Sequence, residues 1–179
     1  MRQGVFLVHY EWLTNCPVKT LLQTLYMSEF KNLIIEQTHR TPRIDLNHST
    51  GELVLTGKSI PENALNTYQP VLNWTREYVL KARPITNLRL NMEYFNTSTS
   101  MWISKMITSL TKIRNPDYLL LVHLYIPLEE YDDMKRSENL KDNFSPITSI
   151  LQDSTICVGL KLYATNEKSE VVRDALVLM

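Results

Sequence analysis

The segment Asn96-Thr-Ser-Thr-Ser100 sets four consecutive hydroxyl residues at the point where the strand-like run Met92-Glu-Tyr-Phe95 gives way to an amphipathic helix. The first four N–H groups of a helix lack internal partners, and the macrodipole adds about half a positive charge at that end. A phosphoryl group transferred to one of these hydroxyls would therefore be held in place by the backbone. The alternative is purely structural: Asn96 or Thr97 caps the helix by accepting a hydrogen bond from its first turn, as such residues commonly do.

Other chemistries can be tested by spacing. His9, His39, His48 and His123 show no metal-ligand spacing, and His123 lies inside an apolar run, where a satisfied core histidine is the ordinary outcome. The hydroxyl cluster has no neighbouring base and no G-x-S-x-G elbow, and with four glycines in the chain nothing resembles a phosphate-cradling loop. Cys16 and Cys157 stand alone, which suits neither a zinc site nor a disulfide framework. Glu129, Glu130, Asp132 and Asp133 lack the alternating oxygen spacing and central glycine of a calcium loop, so they read as a solvated acidic face. Lying just after a buried strand, they also offer an electrostatic surface to a partner. No catalytic residue, metal or cofactor is indicated.

At 179 residues the chain fits one domain with a real core, and 44% apolar with 21% charged residues is ordinary globular composition. Nineteen basic against nineteen acidic side chains argue against a nucleic-acid footprint, which needs a clustered basic excess. The apolar run Gly4-Val-Phe-Leu-Val8 is broken too soon by His9 and Glu11 to be a signal peptide or membrane span. A cytoplasmic protein is expected, with the sequons at Asn47, Asn73 and Asn96 chance matches.

Elements must position the hydroxyl cluster. Leu33 to Ile35 make residues 32–38 strand-like, and two alternating runs, 43–47 and 52–57, flank a turn ending at Gly51 as in a β-hairpin. Ser59-Ile-Pro-Glu62 has the form of a capping box, so a helix is expected from Ser59, broken or kinked near 67–69 by Pro70 and running on to about Lys81. Leu88, Leu90, Met92 and Tyr94 alternate with polar residues, which predicts a strand over 87–95. Trp102, Ile103, Met106, Ile107 and Leu110 form a buried helical face ended by Asn115-Pro-Asp117, and 118–126 is a nearly continuous apolar strand. Strand, helix and strand make a βαβ unit, so the fold expected is α/β (α+β), a single domain with a mixed sheet of five to six strands flanked by helices. A short acidic helix is expected to run up to Leu140, an apolar piece of open type at 144–151, a strand at 156–164 and a terminal helix at 169–178.

Several pieces then coincide: Thr41-Pro-Arg-Ile44, Gly51-Glu-Leu-Val-Leu-Thr-Gly57, Ser59-Ile-Pro-Glu-Asn63, Tyr94-Phe-Asn-Thr-Ser98 and Tyr131-Asp-Asp-Met134. In that order, over Glu36 to Leu151, they resemble the SiaC family of bacterial regulatory phosphoproteins. The resemblance implies partner switching: a histidine-kinase-like serine/threonine kinase and a PP2C-type phosphatase set the phosphorylation state, and the unphosphorylated form binds and activates a diguanylate cyclase in biofilm control. It implies phosphorylation on the threonine of the N-T-S motif, Thr97, with Ser98 and Thr99 as alternatives. A partner surface is expected around Tyr94, Asn96, Thr97, Ser98, Glu129, Glu130, Asp132 and Asp133. The family usually begins shortly before the counterpart of Glu36, so Met27 is an expected start, giving an extension at 1–26, a regulatory domain at 27–152 and a second extension at 153–179. Ile60 and Met101 depart from the family pattern. The rival readings are a constitutive scaffold module with Asn96 and Thr97 as caps, and a metal-dependent enzyme using the acidic segment.

Overall fold

The computed structural model describes residues 30–136, 150, 154 and 156–178. All but the first of these belong to one compact unit, Lys31–Met179. The expectations for residues 1–26, for a start at Met27, for the helix beyond Arg136 and for 144–149 lie outside the described residues.

Seven strands form one sheet in sequence order: β1 (Leu33–Ile35), β2 (Arg43–Asn47), β3 (Glu52–Ser59), β4 (Ile85–Phe95), β5 (Leu119–Pro127), β6 (Cys157–Thr165) and β7 (Val171–Leu178). The mixed α/β class is as expected, with a wider sheet than the five to six strands anticipated. β3, β4, β5 and β6 pair in parallel, while β1, β2 and β7 pair antiparallel at the two edges. Helices α1 (Ala64–Tyr78), α2 (Thr97–Leu110) and α3 (Leu128–Arg136) occupy the successive crossovers. β6 and β7 lie beyond residue 152, so the segment expected as an extension continues the same sheet.

Register explains the core. Leu46, Leu53, Leu88, Val122 and Leu160 stand side by side across five strands, and Ile44, Leu55, Leu90, Leu124 and Leu162 form the next row. All ten are buried. Ser59, in phase with Leu53 and Leu55, reaches side chains of both α1 and α2, so these helices cover the leucine face. Tyr68, Val71, Leu72, Trp74 and Tyr78 of α1 and Ile103, Met106, Ile107 and Leu110 of α2 close the core from that side.

Three local expectations are corrected. The capping box at Ser59 does not form: Ser59 is the buried last residue of β3, its hydroxyl is taken by tertiary partners, and α1 is capped by Asn63, whose Oδ1 accepts from the Asn66 N–H. Pro70 does not break α1, which runs unbroken from Ala64 to Tyr78. Its ring lies on the exposed side with Asn66, so the carbonyl that loses its donor faces solvent. The segment 169–178 is not a helix: Val171–Leu178 is a strand, preceded by a turn. Asn166 Oδ1 accepts from the N–H groups of Lys168 and Glu170, Ser169 adopts a positive φ of 61°, and the valine-rich run that follows folds back onto β6.

The other face of the sheet is polar. Asn87 donates through Nδ2 to Glu52, which leaves its Oδ1 to accept from His123 Nε2–H at 2.9 Å. His123 Nδ1 then accepts from the Tyr163 hydroxyl at 3.0 Å, so four adjacent strands share one hydrogen-bonded chain. Arg89 bonds Glu52 at 2.7 Å and leans its other nitrogen toward His123. The expected satisfied histidine is thus found at 4% exposure, on a strand whose second face is half-buried and not fully covered.

Two predictions follow from this packing. Gly51 ends the β2–β3 turn with φ 76°, and a Cβ there would collide with the carbonyl oxygen of Ile85. Gly51→Ala should lower unfolding stability by about 2 kcal/mol or more, read by chemical denaturation. Burial, reinforced by the Arg89 guanidinium, lowers the His123 pKa from 6.5 to about 4. Between those values the unfolded chain takes up a proton that the folded protein refuses, so stability should fall as pH drops from about 6.5 to 4. The slope for one proton is at most about 1.4 kcal/mol per pH unit. His123→Gln should flatten it in denaturation curves collected across that window.

Candidate functional site

The hydroxyl cluster lies at the start of α2. Asn96, with φ −86° and ψ 172°, is the cap: its Oδ1 accepts from the Thr99 N–H at 2.9 Å. Thr97 is therefore the first residue of the helix, exposed, with a hydroxyl that takes part in no side-chain hydrogen bond among the described residues. Ser98 and Ser100 are also exposed. Thr99 is not: it is fully buried, so of the alternative acceptors only Ser98 is accessible. The first turn carries no acidic side chain to offset the dipole.

What holds this turn is a buried set of three hydroxyls. Ser59 Oγ lies 2.6 Å from the Tyr68 hydroxyl and 2.8 Å from Thr99 Oγ1, joining β3, α1 and α2. The Asn96 N–H adds a bond to the Ser59 carbonyl at 3.1 Å. Burial raises the Tyr68 pKa, against the smaller opposing effect of its two hydroxyl neighbours, which keeps the phenol protonated as a donor.

Beside this turn the sheet opens. β4 pairs with β5 only from Ile85 to Leu90, and its last five residues run on without a β5 partner, while β5 stays paired with β6 to its end. The divergence leaves a groove of about 440 Å³ between the carboxyl ends of the two strands, where α/β sheets characteristically place their ligands. Tyr94 at 59% exposure, Ile103, Ile126, Pro127 and Glu130 are among its lining residues. Phe95 also lines it, and Met101 is exposed on the neighbouring turn of α2.

The structure brings together only part of the expected partner surface. Tyr94 and Glu130 share the groove, with Asn96, Thr97 and Ser98 at the adjoining helix start. The acidic residues sit on α3, and the helical period fans them apart. Glu129 faces a separate cleft with Thr165 and Asn166, and Asp132 is paired with Arg173 of β7. Asp133 is exposed and does not line the groove. Among the described residues no three His, Cys, Asp or Glu side chains converge to hold a metal ion, and no helix is long and apolar enough to cross a membrane. The groove residues that sequence reasoning missed include Phe95, Ile103, Ile126 and Pro127. Only Phe95, out of phase with the alternation that ends at Tyr94, carried a local sign of exposure.

Comparison with known proteins places this geometry in context. Residues 35–152, more than half of the chain, match the model of the SiaC family of regulatory phosphoproteins. A curated, uncharacterized protein of Pseudomonas aeruginosa (strain UCBPP-PA14) is 31% identical over 68 residues, which is 38% of this chain and 54% of that one. The chain thus spans about half the length of the curated relative it matches. Apo-SiaC from Pseudomonas aeruginosa superposes with a TM-score of 0.54 at 18% identity, covering 73% of this chain and 98% of that one. A chain in the structure of the diguanylate cyclase SiaD in complex with its activator SiaC, from the same organism, gives 0.55 at 19% identity, covering 73% and 99%. These two likenesses show a shared fold, and the family match over residues 35–152 shows that the chain belongs to the SiaC family of regulatory phosphoproteins.

Proposed function

We propose that this chain is a non-enzymatic, cytoplasmic regulatory phosphoprotein that, when unphosphorylated, binds and activates a diguanylate cyclase through the groove between β4, β5 and α2, and that phosphorylation of Thr97 ends the binding. A serine/threonine kinase of the histidine-kinase-like type and a PP2C-type phosphatase set its state. One observation carries the switch: Thr97 is an exposed helix-start hydroxyl that its own fold does not use, since Asn96 caps the helix and Ser59 engages Thr99. The capping role that would make Thr97 a structural residue is already filled.

Phosphorylation adds about −1.5 to −2 charges at this point. The free N–H groups of the first turn tolerate it within the domain. A partner seated on Tyr94 and Phe95 would have to bury part of that dianion, at a cost of several kcal/mol if it stays unpaired. No change of fold is required.

Phosphopeptide mapping after incubation with the cognate kinase should find Thr97 as the acceptor. In calorimetric titration against the cyclase, Thr97→Ala should bind like the unphosphorylated protein and escape the kinase, with unfolding stability within about 0.5 kcal/mol because no hydrogen bond is lost. Thr97→Asp should bind about tenfold or more weakly, a loss of about 1.4 kcal/mol or more. Equal affinity of two well-folded variants would leave Thr97 without a switching role.

A further inference from the structure

Helix α2 is flanked on its other side by a second groove, between α1 and α2, of about 710 Å³. Four cations border it: Arg76 of α1, Lys105 of α2, and Lys112 and Arg114 just beyond the end of α2. Among the described residues no carboxylate lines it, and α2 itself contains none. All four cations are exposed, and none is in an ion pair among the described residues; Lys31, Lys81, Arg83 and Lys168 share this, while Arg40, Arg43, Lys58, Arg89, Lys161 and Arg173 each have a carboxylate partner. The chain has zero formal net charge, so this concentration of one sign is local. Between the cations run apolar atoms of Leu72 and Val79, and Leu80 stands at one end 70% exposed.

We infer that the α1/α2 groove is a second docking surface, which takes an acidic amphipathic helix of a protein partner. Charge complementarity selects the occupant, because four cations brought together without counter-ions repel one another and are relieved by carboxylates laid between them. A furrow between two packed helices is also the shape into which the apolar ridge of a third helix fits, with Leu80 as the exposed apolar contact. A nucleic-acid strand is less well served. The one aromatic ring at the groove, Trp102, is already stacked with Tyr68 at 6.4 Å and covered by the Lys105 ammonium at 4.5 Å from its centre, so it offers little surface to a base. The groove lies on a different flank of α2 from Tyr94 and Glu130, and the two meet at Ser104, which lines both.

The test uses the full chain and a capped, helix-forming peptide of about 16 residues with glutamate along one face and leucine along the other, labelled for fluorescence anisotropy. A control peptide carries lysine at every glutamate position. The acidic peptide should bind, weaken as salt is raised, and lose about tenfold or more in affinity to Lys105→Glu/Lys112→Glu and to Arg76→Glu. Leu80→Ser should also weaken it. Thr97→Asp should leave it unchanged, which separates this surface from the proposed switch. Unaltered thermal midpoints of the groove variants show that binding and not folding is read. The inference is overturned by equal binding of the lysine peptide, by no binding at millimolar peptide, or by undiminished binding to the double variant. It is equally overturned if oligothymidylate and not the peptide competes for the groove, or if sedimentation shows self-association that the double variant abolishes, since the occupant would then be a nucleic acid or a second copy.

Discussion

The buried contact among Ser59, Tyr68 and Thr99 is the constraint on which the functional end of the molecule depends. Three hydroxyls inside an apolar core must satisfy one another, because a polar group buried without a partner costs about 1–3 kcal/mol. Their bonds can all form only if the last residue of β3, the second turn of α1 and the first turn of α2 meet at one point. That meeting fixes where α2 begins, and so where Thr97 projects. Thr99 faces inward because it completes the set, and Thr97, two positions earlier and about 200° around the helix, must then face outward. The exposure of one threonine and the burial of the other are a single geometrical fact.

The groove depends on a second constraint, the divergence of β4 and β5 past Leu90 and Leu124. β4 continues for five residues past its last pairing with β5, and the side chains there lose the lateral neighbour that would cover them. Tyr94 and Phe95 are exposed for this reason, although the same strand buries Leu88 and Leu90. Apolar side chains held open at a strand end by a rigid sheet suit recognition, since little ordering entropy is lost when they are covered.

The element order was legible wherever local pattern and tertiary demand agreed. Alternation from Leu88 to Tyr94, the helical face from Trp102 to Leu110 and the apolar run after Tyr118 each gave the right element, because each pattern matches the face that the fold buries. Reading failed where a residue is claimed by a distant partner. Ser59 has the spacing of a capping box but is taken by Tyr68 and Thr99, and Val171–Leu178 is recruited as an edge strand through pairing with β6. Of the site, the helix start was legible and the groove was not. Residues 92–95 and 124–127 are brought to one end of the sheet by the parallel pairing upstream of them, and the point where that pairing stops is written in neither segment. The acidic cluster misled for a related reason: four carboxylates close in sequence are turned in different directions by the helix that carries them.

The basic side chains are dispersed in sequence, Arg76 lying about thirty residues from Lys105, and the balanced total conceals them. Folding collects four of them at one furrow and leaves the other flank of α2 to apolar groups and the carboxylates of Glu93 and Glu130. α2 is thereby a ridge between two grooves of unlike character, with Thr97 at its amino end. A phosphate added there is close enough to charge the apolar groove but is separated by about two turns or more, on the order of 10 Å along the axis, from Lys105 and Lys112. At physiological ionic strength the Debye length is about 8 Å, so under the proposed switch a phosphate at Thr97 would act on the two flanks unequally. Binding on the basic flank would then persist while the apolar flank was switched.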